Sequence, residues 1–181
     1  MVAGEVEGPL VTLVIGGARS GKSEVAERIA AAAGLPVTYV ATGPGAIAGD
    51  PEWAERVAAH RARRPTGWRT EEVPEGGDLG AALAGAAGAA LVDSLGTWVA
   101  GFDGFDVPAA RLHHALGARA AAGLPTVVVS EEVGLGVHAP TEAGRRFADA
   151  LGALNQAVAS TADRVLLVVA GRGLDLGRVA G

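Results

Sequence analysis

Leu10-Val11-Thr12-Leu13-Val14-Ile15-Gly16-Gly17-Ala18-Arg19-Ser20-Gly21-Lys22-Ser23 runs from an apolar segment directly into the pattern G-x-x-x-x-G-K-S. Leu10–Ile15 reads as a buried strand, and a helix is predicted from about Lys22 to Ala33, where Gly34 stops it. Strand, glycine loop and helix in that order form the context a phosphate loop requires. The glycines let backbone N–H groups turn inward around a β-phosphate, and the helix N-terminus adds a positive dipole end. Lys22 would reach the β/γ oxygens as a compact charge on a flexible stem, and Ser23 would give its hydroxyl to Mg²⁺. The chain has 15 basic residues, and Lys22 is its sole lysine. A protein that writes every other positive charge as Arg keeps Lys where Arg's planar fork fits poorly.

Working outward, short β-branched runs alternate with Ala-rich helical segments. Pro36–Ala41 and Trp68–Val73 read as strands, as do Ala89–Asp93, Thr126–Ser130 and Arg164–Val169, the last of which is expected to end the sheet. Asp50-Pro51-Glu52 is a helix start, with Asp as N-cap and Pro at the first position, and Pro65 ends that helix after Arg64. Further helices are predicted over Leu79–Ala87, from Asp106-Val107-Pro108 to about Ala122, and from a Thr141 cap to about Ala159. Such alternation implies right-handed crossovers and a mostly parallel sheet with helices on both faces. The expected fold is a single α/β domain of the P-loop NTPase type over residues 10–181, behind a flexible tail over residues 1–9.

Composition narrows the class. A length of 181 residues suits one domain, and 49% hydrophobic residues with only 4% aromatics point to a core of small aliphatic groups. A net charge of −5 argues against a general nucleic-acid binder. No apolar run reaches the length of about 18 residues that a membrane span needs, and Met1–Pro9 lacks the basic region of a signal peptide. The absence of Cys excludes disulfides, thiolate catalysis and Cys-based zinc sites. A cytoplasmic setting is the expectation.

Two further places carry chemistry. Asp93, ending an apolar strand, is the natural second carboxylate on the magnesium side, with a turn or N-cap role as the alternative. On the Asp50–Arg64 helix, Trp53, Val57, His60 and Arg64 share one stripe, and Arg56, Arg63 and Arg64 lie within a turn of His60. That positive surround favours a neutral imidazole able to attack phosphorus. From the residues alone the blander reading is the favoured one: a half-buried histidine at the end of a helix with a solvated Arg tail.

The stretches GGARSGKSEVAE (Gly16–Glu27), TYVATG (Thr38–Gly43) and ERVAAHRARRPTGWRTEEVP (Glu55–Pro74) resemble the bifunctional adenosylcobinamide kinase / adenosylcobinamide-phosphate guanylyltransferase family of cobalamin biosynthesis. LVDSLGTWV (Leu91–Val99), EVGLGVHAP (Glu132–Pro140) and the segment Gly144–Gly171 extend the resemblance over nearly the whole chain. It implies that His60 carries a covalent GMP, with Lys22 as its partner in catalysis. It also implies nucleotide contacts from Gly16, Gly17, Ala18, Arg19, Ser20, Gly21, Lys22 and Ser23, from Ala41, Thr42 and Gly43, from Arg61, Ala62, Arg63 and Arg64, and from Glu72 and Asp93. Ser23 and Asp93 are the implied metal ligands. The implied chemistry is phosphorylation of adenosylcobinamide by a nucleoside triphosphate, ATP or GTP, then transfer of GMP from GTP through guanylyl-His60. A homotrimer is also implied.

The chain departs from the family's pattern at Ser94, where Cys is common, and at Ser130-Glu131, where an Asn is typical before Glu132-Val133-Gly134. Its C-terminus lacks the expected Pro and terminal Lys. Thr42–Gly49 reads as a hinge between strand and nucleophile helix. Trp98 is read as core, Trp53 and Trp68 as packing for the nucleophile helix, and His113 and His114 as helix surface. His138 sits in a loop where a corrinoid contact is conceivable. Two rival readings stand beside the bifunctional one: a small-molecule kinase without guanylyl transfer, and a regulatory P-loop ATPase.

Overall fold

The computed structural model describes residues 8–43, 55, 58, 61, 62, 64–137 and 139–178. Seven strands form one sheet: β1 (Val11–Gly16), β2 (Val37–Ala41), β3 (Arg69–Glu72), β4 (Ala89–Asp93), β5 (Thr126–Glu131), β6 (Arg164–Val169) and β7 (Arg172–Asp175). Their spatial order is β3-β2-β4-β5-β1-β6-β7. Every neighbouring pair is parallel except β6 with β7. The central strands are buried on both faces, as expected of near-continuous apolar runs such as VTLVIG and AALVD.

Helices α1 (Lys22–Ala32), α2 (Leu79–Gly85), α3 (Leu95–Ala100), α4 (Ala109–Ala121) and α5 (Glu142–Thr161) cover the sheet. The alternation along β1 sorts the core into two layers. Val11, Leu13 and Ile15 join Leu79, Leu83, Leu95, Trp98, Leu112, Leu116 and Leu151 in one cluster, which α2 to α5 build. Val14 points the other way and meets Ala26 and Ala30 of α1 with Tyr39, Leu91 and Val129. Small residues on α1 let it lie close to the sheet, while Leu fills the thicker layer. Each fully buried Leu contributes about 1.5–3 kcal/mol relative to exposure. Among the described residues no helix is long and apolar enough to cross a membrane.

Among the described residues the expected strands and helices are present, with three corrections. The sheet does not end at Arg164–Val169: the chain turns through Ala170 and Gly171 and returns as β7, pairing Leu167 with Leu174. Four short residues, RGLD, all exposed, leave no apolar alternation to find in the sequence. Helix α3 was also not anticipated; six residues start directly behind β4, with Ser94 rather than Asp93 as N-cap. The helix expected from Asp106 begins at Ala109, after a 3₁₀ turn over Asp103–Phe105. Of the predicted Asp50–Arg64 helix, Glu55, Ala58, Arg61 and Ala62 are described and helical. Its start, the hinge from Pro44 to Gly49 and most of the expected N-terminal tail lie outside the described residues.

Candidate active site

Parallel strands bring their C-terminal ends to one edge, and the chemistry-bearing residues gather there. Ala41 ends β2 in register with Glu72 of β3 on one side and Asp93 of β4 on the other. Gly16 ends β1 in register with Glu131 of β5 and Val168 of β6. The loop Gly17–Gly21 then leads into α1. Gly21 is that helix's N-cap at φ 88°, a left-handed conformation that suits a residue without Cβ, and it brings no capping side chain. By contrast α2, α3 and α5 are capped by the side chains of Asp78, Ser94 and Thr141. Within the loop, Ser20 N donates to Gly17 O at 3.3 Å, and Lys22 N to Ser20 Oγ at 3.3 Å. Arg19 also takes a positive φ, 56°. Gly171, in the β6–β7 turn, donates its N–H to Ser20 O at 2.7 Å, so the unanticipated hairpin braces the loop.

Lys22 folds over this loop. Its Nζ lies 3.5 Å from Gly17 O and 3.5 Å from Glu131 Oε1, with the lysine side chain only 11% exposed. Glu131 is the site residue that sequence reasoning missed, although the departure at Ser130-Glu131 marked it. Its carboxylate accepts from Ser94 Oγ at 2.9 and 3.1 Å and from Gly96 N at 2.9 Å. Both donors belong to the start of α3, the helix that was also missed.

Asp93 is tied to β2. Tyr39 Oη donates to Asp93 Oδ2 at 2.7 Å, from a ring that is 1% exposed. Burial first, then the Asp93 carboxylate, pushes the Tyr39 hydroxyl far above the usual phenol range, so it remains a donor. The Arg64 guanidinium carbon stands 3.7 Å from the centroid of the same ring, a cation–π contact, and Arg64 Nη1 donates to Thr70 Oγ1 at 3.3 Å. One buried tyrosine thus touches both the Asp93 carboxylate and the Arg segment that follows His60 in the chain.

Of the other expected contacts, Thr42 is buried, with its hydroxyl donating to Ser94 O at 2.5 Å and lying 2.9 Å from Thr97 Oγ1. It braces the turn after β4. Glu72 accepts from Arg61 Nη2 at 2.7 Å in an exposed pair. Ser23 is half-buried at the start of α1. His60, Arg56, Arg63, Trp53 and His138 lie outside the described residues. Trp98 is core, 2% exposed, with its indole N–H donating to Gly77 O at 2.9 Å. Trp68 packs against the cluster that contains Ala26 and Tyr39. His113 and His114 are on the exposed side of α4, and His113 Nδ1 lies 2.9 Å from Thr161 Oγ1.

Comparisons with known proteins place the chain among characterised relatives. The family described as cobinamide kinase / cobinamide phosphate guanyltransferase matches residues 12–176. The bifunctional adenosylcobalamin biosynthesis protein CobP of Pseudomonas aeruginosa is 45% identical over 170 residues, covering 88% of this chain and 92% of the relative. The corresponding protein CobU of Escherichia coli K12 is 32% identical, over 92% of this chain and 99% of its own. Among solved structures, the flagellar accessory protein FlaH of Methanocaldococcus jannaschii aligns with a TM-score of 0.53 at 11% identity, covering 93% of this chain and 78% of that one. A type III secretion system ATPase of pathogenic bacteria aligns at 0.50 and 12% identity, over 87% of this chain and 50% of that one. At such identities the structural likeness speaks for the fold alone, which is of the P-loop NTPase type.

Proposed function

The chain belongs to the cobinamide kinase / cobinamide phosphate guanyltransferase family, and we propose that it performs both reactions on a corrinoid substrate. In the first, the aminopropanol hydroxyl of adenosylcobinamide attacks the γ-phosphorus of ATP or GTP and the nucleoside diphosphate leaves. In the second, His60 attacks the α-phosphorus of GTP, pyrophosphate leaves, and the corrinoid phosphate takes GMP from the histidine. The observation that carries this reading is the loop Gly16–Ser23 between β1 and α1, with the chain's sole lysine folded over it. Nothing observed favours a kinase without guanylyl transfer or a regulatory ATPase.

The residues divide the work as follows. Backbone N–H groups of the loop and the Lys22 ammonium hold the phosphates and stabilise charge that develops on them. Asp93, oriented by Tyr39, and the Ser23 hydroxyl are oxygen donors that fit Mg²⁺, which keeps several waters and leans on substrate phosphates. Among the described residues no cluster of three or more His, Cys, Asp or Glu offers an all-protein cage, in keeping with so sparse a ligand set. When bound, the ion neutralises phosphate charge. Arg61, Ala62, Arg63, Arg64, Glu72 and the Ala41–Gly43 turn belong to the guanylyl side of the site. Residues 10–181 act as one catalytic domain, in the cytoplasm. Assembly into a homo-oligomer, a trimer in the family's manner, is supported by the exposed apolar side chains Val169 and Leu174 on the sheet's outer hairpin.

The test uses GTP labelled at the α-phosphate. After denaturation the wild type retains label that is acid-labile and alkali-stable, as expected of an N–P bond, and His60→Ala retains none. Label persisting in His60→Ala sinks the covalent step. Corrinoid phosphorylation without any label supports the kinase-only reading instead.

A further inference from the structure

The contact between Lys22 and Glu131 joins a fixed partner to a movable one. Glu131 ends β5, and its backbone is tied on both sides: Asn155 Nδ2 donates to Glu131 O at 3.0 Å, and Glu132 N to Gly16 O at 3.1 Å. The carboxylate is held by the Ser94 hydroxyl and the Gly96 N–H, each at 2.9 Å. A Cβ at position 96 would overlap Glu131 Oε2, so the carboxylate occupies a slot that exists only because residue 96 is glycine. Lys22, by contrast, meets Glu131 and Gly17 O at 3.5 Å each, longer than a strong charge-assisted hydrogen bond, on a flexible four-carbon stem.

We infer that Glu131 is a built-in competitor of nucleotide phosphate for Lys22, a positioning residue that sets how tightly the loop holds a nucleotide and how fast it lets the spent one go. The inference rests on the proposed reading of Gly16–Ser23 as the phosphate loop. An incoming phosphate draws the ammonium toward itself, while the carboxylate, anchored by Ser94 and Gly96, stays. The bound nucleotide then lies beside a fixed like charge in a partly dry cleft, where Coulomb terms are only weakly screened. When the diphosphate leaves, Glu131 takes Lys22 back. Such a device suits a site that takes two nucleotides in succession, because the first must depart before the second binds.

The experiment is binding and stopped-flow dissociation of a fluorescent GDP analogue on the full chain. Glu131→Gln removes the charge at nearly constant size, and Glu131→Asn is the second variant; thermal melts report that each is folded. The expected result is a Kd lower by about tenfold in both, most of it from slower dissociation. Unchanged or weaker binding in a folded variant overturns the inference. So does a hundredfold slower single-turnover phosphorylation at unchanged affinity, which would make Glu131 a proton acceptor. Lys22→Ala, run in parallel, separates the two levels: if it binds like the wild type the loop reading itself fails. If Lys22→Ala loses binding and the Glu131 variants do not tighten it, only this inference fails.

Discussion

Strands β4 and β5 carry a buried or half-buried cation at each of their ends. At the N-terminal ends, Arg119 of α4 is 4% exposed. Its Nε donates to Thr126 Oγ1 at 2.8 Å, and Nη1 to the carbonyls of Leu83 and Ala86 at 3.2 and 2.7 Å. Nη2 donates to the carbonyls of Gly88 and Pro125 at 2.7 and 3.4 Å. At the C-terminal ends, Lys22 has one carboxylate and one carbonyl, both at 3.5 Å. Burial lowers the pKa of Arg119, but a fork of donors aimed at five fixed oxygens leaves that cation nothing to offer a ligand. Lys22 is held more loosely, as its proposed capture of phosphate requires. The same charge is a clamp where every donor is spent and a tool where it is not.

Exchanging the two residue types breaks the comparison most sharply. Lys22→Arg should lower both kinase turnover and guanylyl labelling by roughly 10²–10³, the scale of losing one preorganised donor at a charged transition state. Its melting temperature should stay near that of the wild type. Steady-state assays beside a melt decide this; activity within tenfold of the wild type would show that the loop tolerates a fork. Arg119→Lys should do the reverse. Three donors cannot serve five acceptors, and two lost hydrogen bonds to a buried charged group cost about 3 kcal/mol together. For a chain of this size that lowers the melting temperature by roughly 6–12 °C, with activity per folded molecule retained. A melt within about 2 °C of the wild type would count against the clamp.

A smaller effect sharpens the picture on the guanylyl side. Tyr39→Phe keeps the ring under Arg64 but removes the hydroxyl that orients Asp93. The expected outcome is a Mg²⁺ requirement raised about tenfold and a stability loss of about 1 kcal/mol. Titration of activity against Mg²⁺ reads it, and an unchanged requirement removes Tyr39 from the metal side.

Legibility followed the range of the interaction. The loop Gly16–Ser23, the strands around it and the core role of Trp98 were readable because each rests on local pattern: apolar runs, glycine spacing and capping residues. Helix α3 and strand β7 were not. The first is one and a half turns made stable by the Ser94–Thr97 capping box and by Leu95, Trp98 and Val99 packing into the thick layer. The second is an exposed strand whose pairing with β6 replaces any apolar signal. In the candidate site, Asp93 and Lys22 stand out from their own neighbours in sequence. Glu131 does not, because what gives it meaning is register with Gly16 across two strands and a slot left by Gly96.

The sequence by itself determined the architecture, the phosphate loop and the family, since these are written in residues adjacent along the chain. Tertiary structure alone decided what each charge does. It placed Glu131 against Lys22, spent Arg119 on carbonyls and hung Asp93 from Tyr39. The physical reason is that a charge acquires its role from the fixed dipoles and counter-charges within a few ångströms, and in a parallel sheet those neighbours come from strands far apart in sequence.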